Sequence, residues 1–90
     1  MINKKLQDAI NAQINAELWS AYLYLSMATN FHEMGLGGIA NWFEVQFKEE
    51  QDHAMIFYNY LVSRGGRVEL KAIDAVKTTW ESPLEAFEDT

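Results

Sequence analysis

Two carboxylates and one imidazole stand where an apolar helix face is expected. Glu50 and His53 lie three residues apart in "FKEEQDHAMIF", residues 47–57, and Glu17 interrupts an apolar stripe earlier in the chain. Residues i and i+3 project from one face of a helix, so Glu50 could bridge two metal ions while His53 binds one of them. Because each residue alone is more often part of a satisfied hydrogen-bonded pair, the metal hypothesis rests on all three converging.

Two long helices are predicted to bring these side chains together. Apolar residues recur at helical spacing from about residue 4 to 32 and again from about 37 to 64. The stretch "HEMGLGG" interrupts the period, and Gly35 suits the left-handed residue that closes a helix. Residues 17 and 53 are equally distant in sequence from Gly35. A hairpin folded there therefore places Glu17, Glu50 and His53 at about one level.

The remainder of the chain predicts a crossover and the start of a third helix. Residues 65–81 have no sustained helical period and are too many for a hairpin turn. In "SPLE", Ser82 is a candidate N-cap, Pro83 suits the first helical position and Glu85 completes a capping box. Residues 82–90 thus begin a helix that stops at Thr90, and we expect a C-terminal half to be missing.

Composition excludes several classes of partner. The 90 residues allow one small domain, and 13 acidic against 7 basic residues give a net charge of −6. This balance argues against nucleic acid or an anionic membrane as the main partner and favours a cationic one. The chain has no cysteine, so a metal site must use oxygen and imidazole ligands. Without a signal-like or membrane-spanning apolar run, the expected location is cytoplasmic.

Three motifs make the chain recognisable. The stretches "NAQINAELWSAYLYLSMA", "FKEEQDHAMIFYNYLVSRGG" and "ESPLEAF" resemble the N-terminal half of a bacterial non-haem ferritin, and the resemblance covers essentially the whole sequence. It implies an all-α fold, a ferritin-like four-helix bundle. This chain would supply its first two long antiparallel helices, the long crossover and the start of the third helix.

The resemblance also implies roles for individual residues. Glu17 would be a terminal ligand of the first iron, Glu50 the bridging carboxylate, and His53 the imidazole ligand of that same iron. Tyr24 would be the phenol beside these ligands. Glu49 would match the acidic residue of a third, inner-surface iron site, although a solvated carboxylate explains it equally well.

The function implied is iron storage with ferroxidase activity. Fe(II) would be oxidised by dioxygen or hydrogen peroxide at a di-iron centre, and ferric mineral would be stored in a hollow 24-subunit homo-oligomeric shell. No haem is expected, because haem-binding bacterioferritins carry a methionine directly after the bridging glutamate, where this chain has Gln51.

Only half of the di-iron site is expected in these 90 residues. The remaining ligands would come from a C-terminal half of the same protein or from a second copy. The surface awaiting that partner is expected to include Phe43, Phe57 and Leu61. The crossover is expected to pair with its symmetry mate and to cover apolar surface with Val68, Leu70 and Ile73.

Two other classes remain open. A di-iron enzyme of the rubrerythrin type uses the same Glu and Glu-x-x-His units, but the long crossover with "SPLE" favours ferritin. A helical hairpin that serves only as an assembly module would use Glu17, Glu50 and His53 as a polar network.

Three tryptophans are assigned to packing or interfaces: Trp19, Trp42 and Trp80.

Overall fold

The computed structural model describes residues 2–90, and its elements are three helices. Helix α1 spans Lys4–Glu33, α2 spans Gly37–Ser63 and α3 spans Pro83–Glu88. No strand occurs in the described residues, so the predicted all-α class is confirmed. The molecule measures 50 × 19 × 18 Å, since α1 and α2 form one long antiparallel hairpin. No helix within residues 2–90 has the length and apolar character needed to cross a membrane.

Both long helices end in the same glycine-based cap. Gly35 has φ 76°, which confirms the predicted left-handed residue, and Leu36 N–H donates to the Phe31 carbonyl at 2.8 Å. Gly65 has φ 72°, and Gly66 N–H donates to the Leu61 carbonyl at 2.9 Å. Each cap satisfies carbonyls that the last turn leaves free, and the chain reverses sharply after α1.

The core lies between the helices in two clusters. Near the α1–α2 turn, Phe31 and Phe43 stack at 5.5 Å, and Trp80 and Ala86 pack into the same cluster. Toward the open end of the hairpin, a smaller cluster contains the buried residues Ile10, Ile14 and Leu61. The carboxylate and imidazole side chains lie between these two apolar anchors.

The prediction that Phe43, Phe57 and Leu61 lie on a partner-facing surface of α2 is partly wrong. Phe43 and Leu61 are fully buried and Phe57 is half-buried, because they pack into the two core clusters, to which the crossover and α3 also contribute. The large apolar side chains that α2 exposes lie elsewhere on its circumference, and among them are Trp42, Val45, Met55, Ile56, Tyr58, Tyr60 and Val62. Helical periodicity identified an apolar face but did not show which part of it the neighbouring helix would occupy.

The crossover runs along α1 in an extended conformation and is tied to it at both ends. Asn11 accepts from Glu69 N–H at 2.9 Å and donates to the Arg67 carbonyl at 3.0 Å. At the far end, Asn30 donates to the Trp80 carbonyl at 3.0 Å and accepts from Trp80 N–H at 3.1 Å. Side-chain amides of α1 therefore replace the backbone partners that an extended segment would otherwise lack.

Between those ties, the crossover covers less apolar surface than expected. Val68 packs against the cluster of Ile10, Ile14 and Leu61, as predicted. Leu70 is 69% exposed and Ile73 is 40% exposed, so neither covers the hairpin.

Helix α3 begins with the predicted cap, in a modified form. Ser82 Oγ accepts from Glu85 N–H at 3.2 Å, and Pro83 occupies the first helical position. The Glu85 carboxylate accepts from Glu81 N–H at 3.3 Å, one residue before the cap. Lys77 also donates to Glu85 at 2.7 Å, and Trp80 Nε1 donates to Asp89 at 2.8 Å, so α3 is held against the end of the crossover.

Candidate metal centre

The three predicted ligands converge between α1 and α2. Glu17 comes from α1, Glu50 and His53 come from α2, and one ligand atom from each lies within 4.8 Å of the others. His53 Nδ1 is 3.6 Å from Glu17 Oε2 and 3.8 Å from Glu50 Oε2. Within residues 2–90 this is the one group of three or more acidic or histidine side chains with such spacing. The hairpin thus produces the convergence that its sequence predicted.

The spacing suits a metal ion with small side-chain movements. Ligand atoms about 2.1 Å from one ion can lie at most about 4.2 Å apart. The 3.6 and 3.8 Å separations already lie in this range. Two carboxylates and one neutral imidazole form a hard-to-borderline donor set, which suits ferrous and similar divalent ions. Three ligands are fewer than two metal ions require, so this cluster can supply only part of a di-metal site.

The two carboxyl groups are unequal. Burial raises the pKa of Glu50 to about 7, and a hydrogen bond with Glu17 and the charge of Glu17 add to this effect. The same hydrogen bond lowers the pKa of Glu17 from its ordinary value, against an opposing effect of burial. Glu50 therefore holds the shared proton and Glu17 accepts it. A metal ion bound between them would displace that proton.

The three side chains also differ in their exposure to solvent. The side chains of Glu17 and Glu50 are 17% and 19% exposed, whereas that of His53 is 51% exposed. The carboxylates lie in the groove between the helices, and the imidazole stands at its open edge. An ion can consequently approach from the side on which the hairpin has no covering element within the described residues.

Tyr24 lies half-buried beside this centre, and its ring stacks on Phe43 at 6.2 Å. Burial raises its pKa, and the charges of Glu50 and Glu49 raise it further. The phenol therefore keeps its proton near neutral pH and stands close enough to Glu50 to sense its charge.

Glu49 does not join the converging group. Its side chain is exposed on α2, and it is absent from the cluster of candidate ligands in residues 2–90. Gln51 is exposed as well. The structure therefore separates the three central side chains from the acidic residue assigned to a third iron.

Gln13 touches the centre although it is not among the predicted site residues. Its Nε2 donates to Glu17 Oε1 at 2.8 Å, one turn away on the same helix. The four-residue spacing of Gln13 and Glu17 is a signal that could have identified this contact from the sequence.

Relatives of known structure and curated name share this architecture. Residues 7–90 match the model of the ferritin-like domain. A bacterial non-heme ferritin of Bacteroides fragilis is 49% identical over 88 residues, covering 98% of this chain and 55% of the relative. Another from Staphylococcus aureus is 39% identical over 90 residues, covering 100% of this chain and 54% of the relative. The chain thus spans about half the length of these relatives.

Solved structures of ferritins also superimpose closely on this chain. An open pore ferritin from the hyperthermophilic archaeon Archaeoglobus fulgidus superimposes with a TM-score of 0.95 at 50% identity, over 99% of this chain and 55% of that one. A humanized archaeal ferritin gives the same TM-score and identity, over 99% of this chain and 54% of that one. These matches confirm the resemblance and the ferritin-like fold predicted from the sequence motifs, and the chain belongs to the ferritin family.

Proposed function

We propose that the protein stores iron and oxidises Fe(II) to Fe(III) at a carboxylate-bridged di-iron site. The observation that carries this proposal is the convergence of Glu17, Glu50 and His53 within 4.8 Å in a chain of the ferritin family. Glu17 is a terminal ligand of the first iron, Glu50 bridges both ions, and His53 binds the first iron. Dioxygen or hydrogen peroxide accepts the electrons.

The donor set favours this oxidation. Carboxylate oxygens are hard ligands that bind Fe(III) more tightly than Fe(II), and this difference lowers the reduction potential of the bound iron. One imidazole retains affinity for the ferrous ion. Each Fe(II) loses one electron, so a two-electron oxidant requires two ions held together, and a bridging carboxylate holds them.

Glu50 is the residue on which this arrangement depends. Its burial and its shared proton with Glu17 keep it partly protonated near neutral pH. Fe(II) would displace that proton, and Glu50 would then serve as the bridging ligand instead of a hydrogen-bond donor.

Tyr24 has a supporting role. The protonated phenol can donate a hydrogen bond to a ligand at the centre, or supply one electron and its proton when oxidation is incomplete. Glu49 is proposed as a ligand of a third iron at the exposed side of α2. Haem is not part of the proposal, because Gln51 follows Glu50.

The complete site requires further ligands. Glu17, Glu50 and His53 supply two carboxylates and one imidazole, whereas symmetric di-iron helix bundles use four carboxylates and two imidazoles. We propose that the second iron receives its other ligands from a C-terminal half of the same protein or from a second copy. The assembled protein is proposed to be a homo-oligomeric shell of 24 subunits that encloses ferric mineral, in the cytoplasm.

Anaerobic titration with Fe(II), followed by air, tests the proposal. Oxo-bridged Fe(III) absorbs in the near ultraviolet, so absorbance should rise with time only in the presence of oxidant. A Glu17→Ala, Glu50→Ala double variant is the control, because it retains His53 but no bridging group. Equal rates in the wild type and this control would overturn the proposal and leave the hairpin as an assembly module.

A further inference from the structure

The two oxygens of Glu17 have different environments. Oε1 accepts a hydrogen bond from Gln13 Nε2 at 2.8 Å, whereas Oε2 faces His53 Nδ1 at 3.6 Å. Gln13 is exposed and Glu17 is largely covered, so the amide closes one side of the carboxylate. One oxygen is thus already occupied, and the other faces the groove where the candidate ligands converge.

The same sequence spacing occurs on α2 with a different result. Gln46 precedes Glu50 by four residues, as Gln13 precedes Glu17. Among residues 2–90, however, the side chain of Gln46 makes no hydrogen bond to Glu50, whose carboxyl group instead faces Glu17 and His53. One carboxylate is held by its neighbouring glutamine, and the other is not.

We infer that Gln13 is a positioning residue that fixes Glu17 as a one-oxygen metal ligand and so leaves the bridging position to Glu50. This inference rests on the proposed function. An amide N–H aimed at Oε1 directs its positive end into the space that a chelating metal ion would need. No glutamine amide holds the carboxyl group of Glu50, so both of its oxygens become available to two ions once a metal ion displaces the proton shared with Glu17.

The energetic consequence follows from the geometry. A hydrogen bond from a partner outside the metal ligands fixes the orientation of a ligand before the metal arrives, and losing such a partner typically costs about 10- to 100-fold in metal affinity. Without the amide, Glu17 can rotate, use both oxygens on one ion, or swing away from His53.

A pair of matched variants tests the assignment. Gln13→Met keeps the length of the side chain and its helix propensity but removes the N–H donor. Gln46→Met makes the same change at the same distance before the other glutamate. Zn(II) binding to the purified protein is measured by calorimetry, and the carboxylate stretching bands of the Zn(II)-loaded forms are compared by infrared spectroscopy.

Gln13→Met is expected to lose about tenfold or more in Zn(II) affinity, and a carboxylate band should shift from the one-oxygen toward the two-oxygen pattern. Gln46→Met should retain the wild-type affinity and bands. Since Gln13 is exposed, the metal-free variant should unfold at the same temperature as the wild type. Together these results would support the assignment and separate it from a loss of folding.

Two outcomes would overturn the assignment while leaving the proposed function intact. One is wild-type affinity and unchanged carboxylate bands in Gln13→Met. The other is an equal loss of affinity in both methionine variants, which would indicate a general effect of polarity near the centre. A wild-type protein that bound no metal at all would instead overturn the proposed function, and this inference with it.

Discussion

Glu17 and Glu50 lie on separate helices, and their carboxyl groups meet in the groove with one oxygen of each within 4.8 Å of the other. Burial first, and then the hydrogen bond with Glu17, raise the pKa of Glu50 to about 7, while the same hydrogen bond lowers that of Glu17. Two carboxylate charges within 4.8 Å of each other repel, so near neutral pH the metal-free hairpin keeps Glu50 partly protonated. A cation bound in the groove would offset the repulsion between the two carboxylates, so the proton would no longer be required.

The first prediction concerns the stability of the metal-free protein. The pKa of Glu50 rises from 4.5 to about 7 on folding, so the folded state retains a proton that the unfolded state releases. This group therefore lowers the free energy of unfolding as the pH rises from about 4.5 to about 7. Below that window both states are protonated and the effect is constant.

Urea unfolding in the presence of a chelator, between pH 5 and pH 8, measures this contribution. Glu50→Gln is the control, because the amide can still donate to Glu17 but does not titrate. The stability of the wild type should fall with pH relative to that of Glu50→Gln. Parallel pH profiles for the two proteins would contradict the assignment of the raised pKa to Glu50.

The second prediction compares two residues at the proposed iron site. Glu50→Ala removes the group proposed to touch both ions and should reduce Fe(II) oxidation to the rate seen without protein. Tyr24→Phe keeps every proposed ligand and the stack on Phe43, so it should slow or misdirect turnover by about 10- to 100-fold at most. Stopped-flow absorbance in the near ultraviolet gives both rates, and wild-type oxidation by Glu50→Ala would contradict the bridging role.

Hydrophobic periodicity and the glycine-based turn predicted the two helices that hold this site. The glycine at Gly35 and the distances of Glu17 and His53 from it were sufficient to place the side chains at one level. Sequence periodicity could not show which side of each helix is buried. Phe43 and Leu61 belong to the same broad apolar face as exposed residues, and they are buried by the rotation of α2 against α1 together with the crossover and α3.

The hydrogen bonds between the crossover and α1 could not be predicted from the sequence either. Asn11 and Asn30 are ordinary polar residues of a helix surface until an extended segment lies beside them. Pairing between a side-chain amide and a distant backbone depends on the path of the chain, and no local pattern encodes that path.

The third prediction concerns Gly66, where the end of α2 meets the small core cluster. A Cβ at this position would lie 2.4 Å from Leu61 Cδ1 and 3.1 Å from Ile2 Cγ2. Leu61 is fully buried, so it has little room to move. Gly66→Ala should therefore lower the free energy of unfolding by about 1–3 kcal/mol.

Gly38→Ala is the matched control for Gly66→Ala. A Cβ at Gly38 would meet nothing within 4 Å, and the residue lies in the first turn of α2. Because alanine restricts the unfolded chain more than glycine does, this variant should be neutral or stabilised by up to about 1 kcal/mol. Denaturant unfolding of both variants makes the comparison, and equal stabilities would contradict the steric argument.

The fourth prediction concerns the exposed middle of the crossover. Leu70 and Ile73 protrude from the hairpin, between ties to Asn11 and Asn30. If this segment pairs with the same segment of a second subunit across a two-fold axis, its amides become protected in the assembled protein. Hydrogen exchange through residues 67–76 should then be slow in the oligomer and fast after dissociation. Rapid exchange in both states would rule out the pairing.

The last prediction concerns self-association through the open face of α2. Trp42, Val45, Ile56 and Tyr60 are 40–65% exposed and, at about 100° per residue, lie on the same side of the helix as His53. An apolar stripe of this length rarely remains bare in solution, so the 90-residue chain should associate. Two copies paired by this face would bring together four carboxylates and two imidazoles, the ligand set of symmetric di-iron bundles.

Sedimentation and metal titration of the chain test this pairing with two lysine variants. Ile56→Lys places a charge at the centre of the stripe and should yield monomers, because burying an unpaired ammonium is costly. Leu70→Lys alters a similarly exposed side chain on the crossover and should leave the association intact. The wild-type dimer should bind two divalent ions. A folded wild-type monomer, or a dimer that binds a single ion, would show that the α2 face does not complete the site with a second copy.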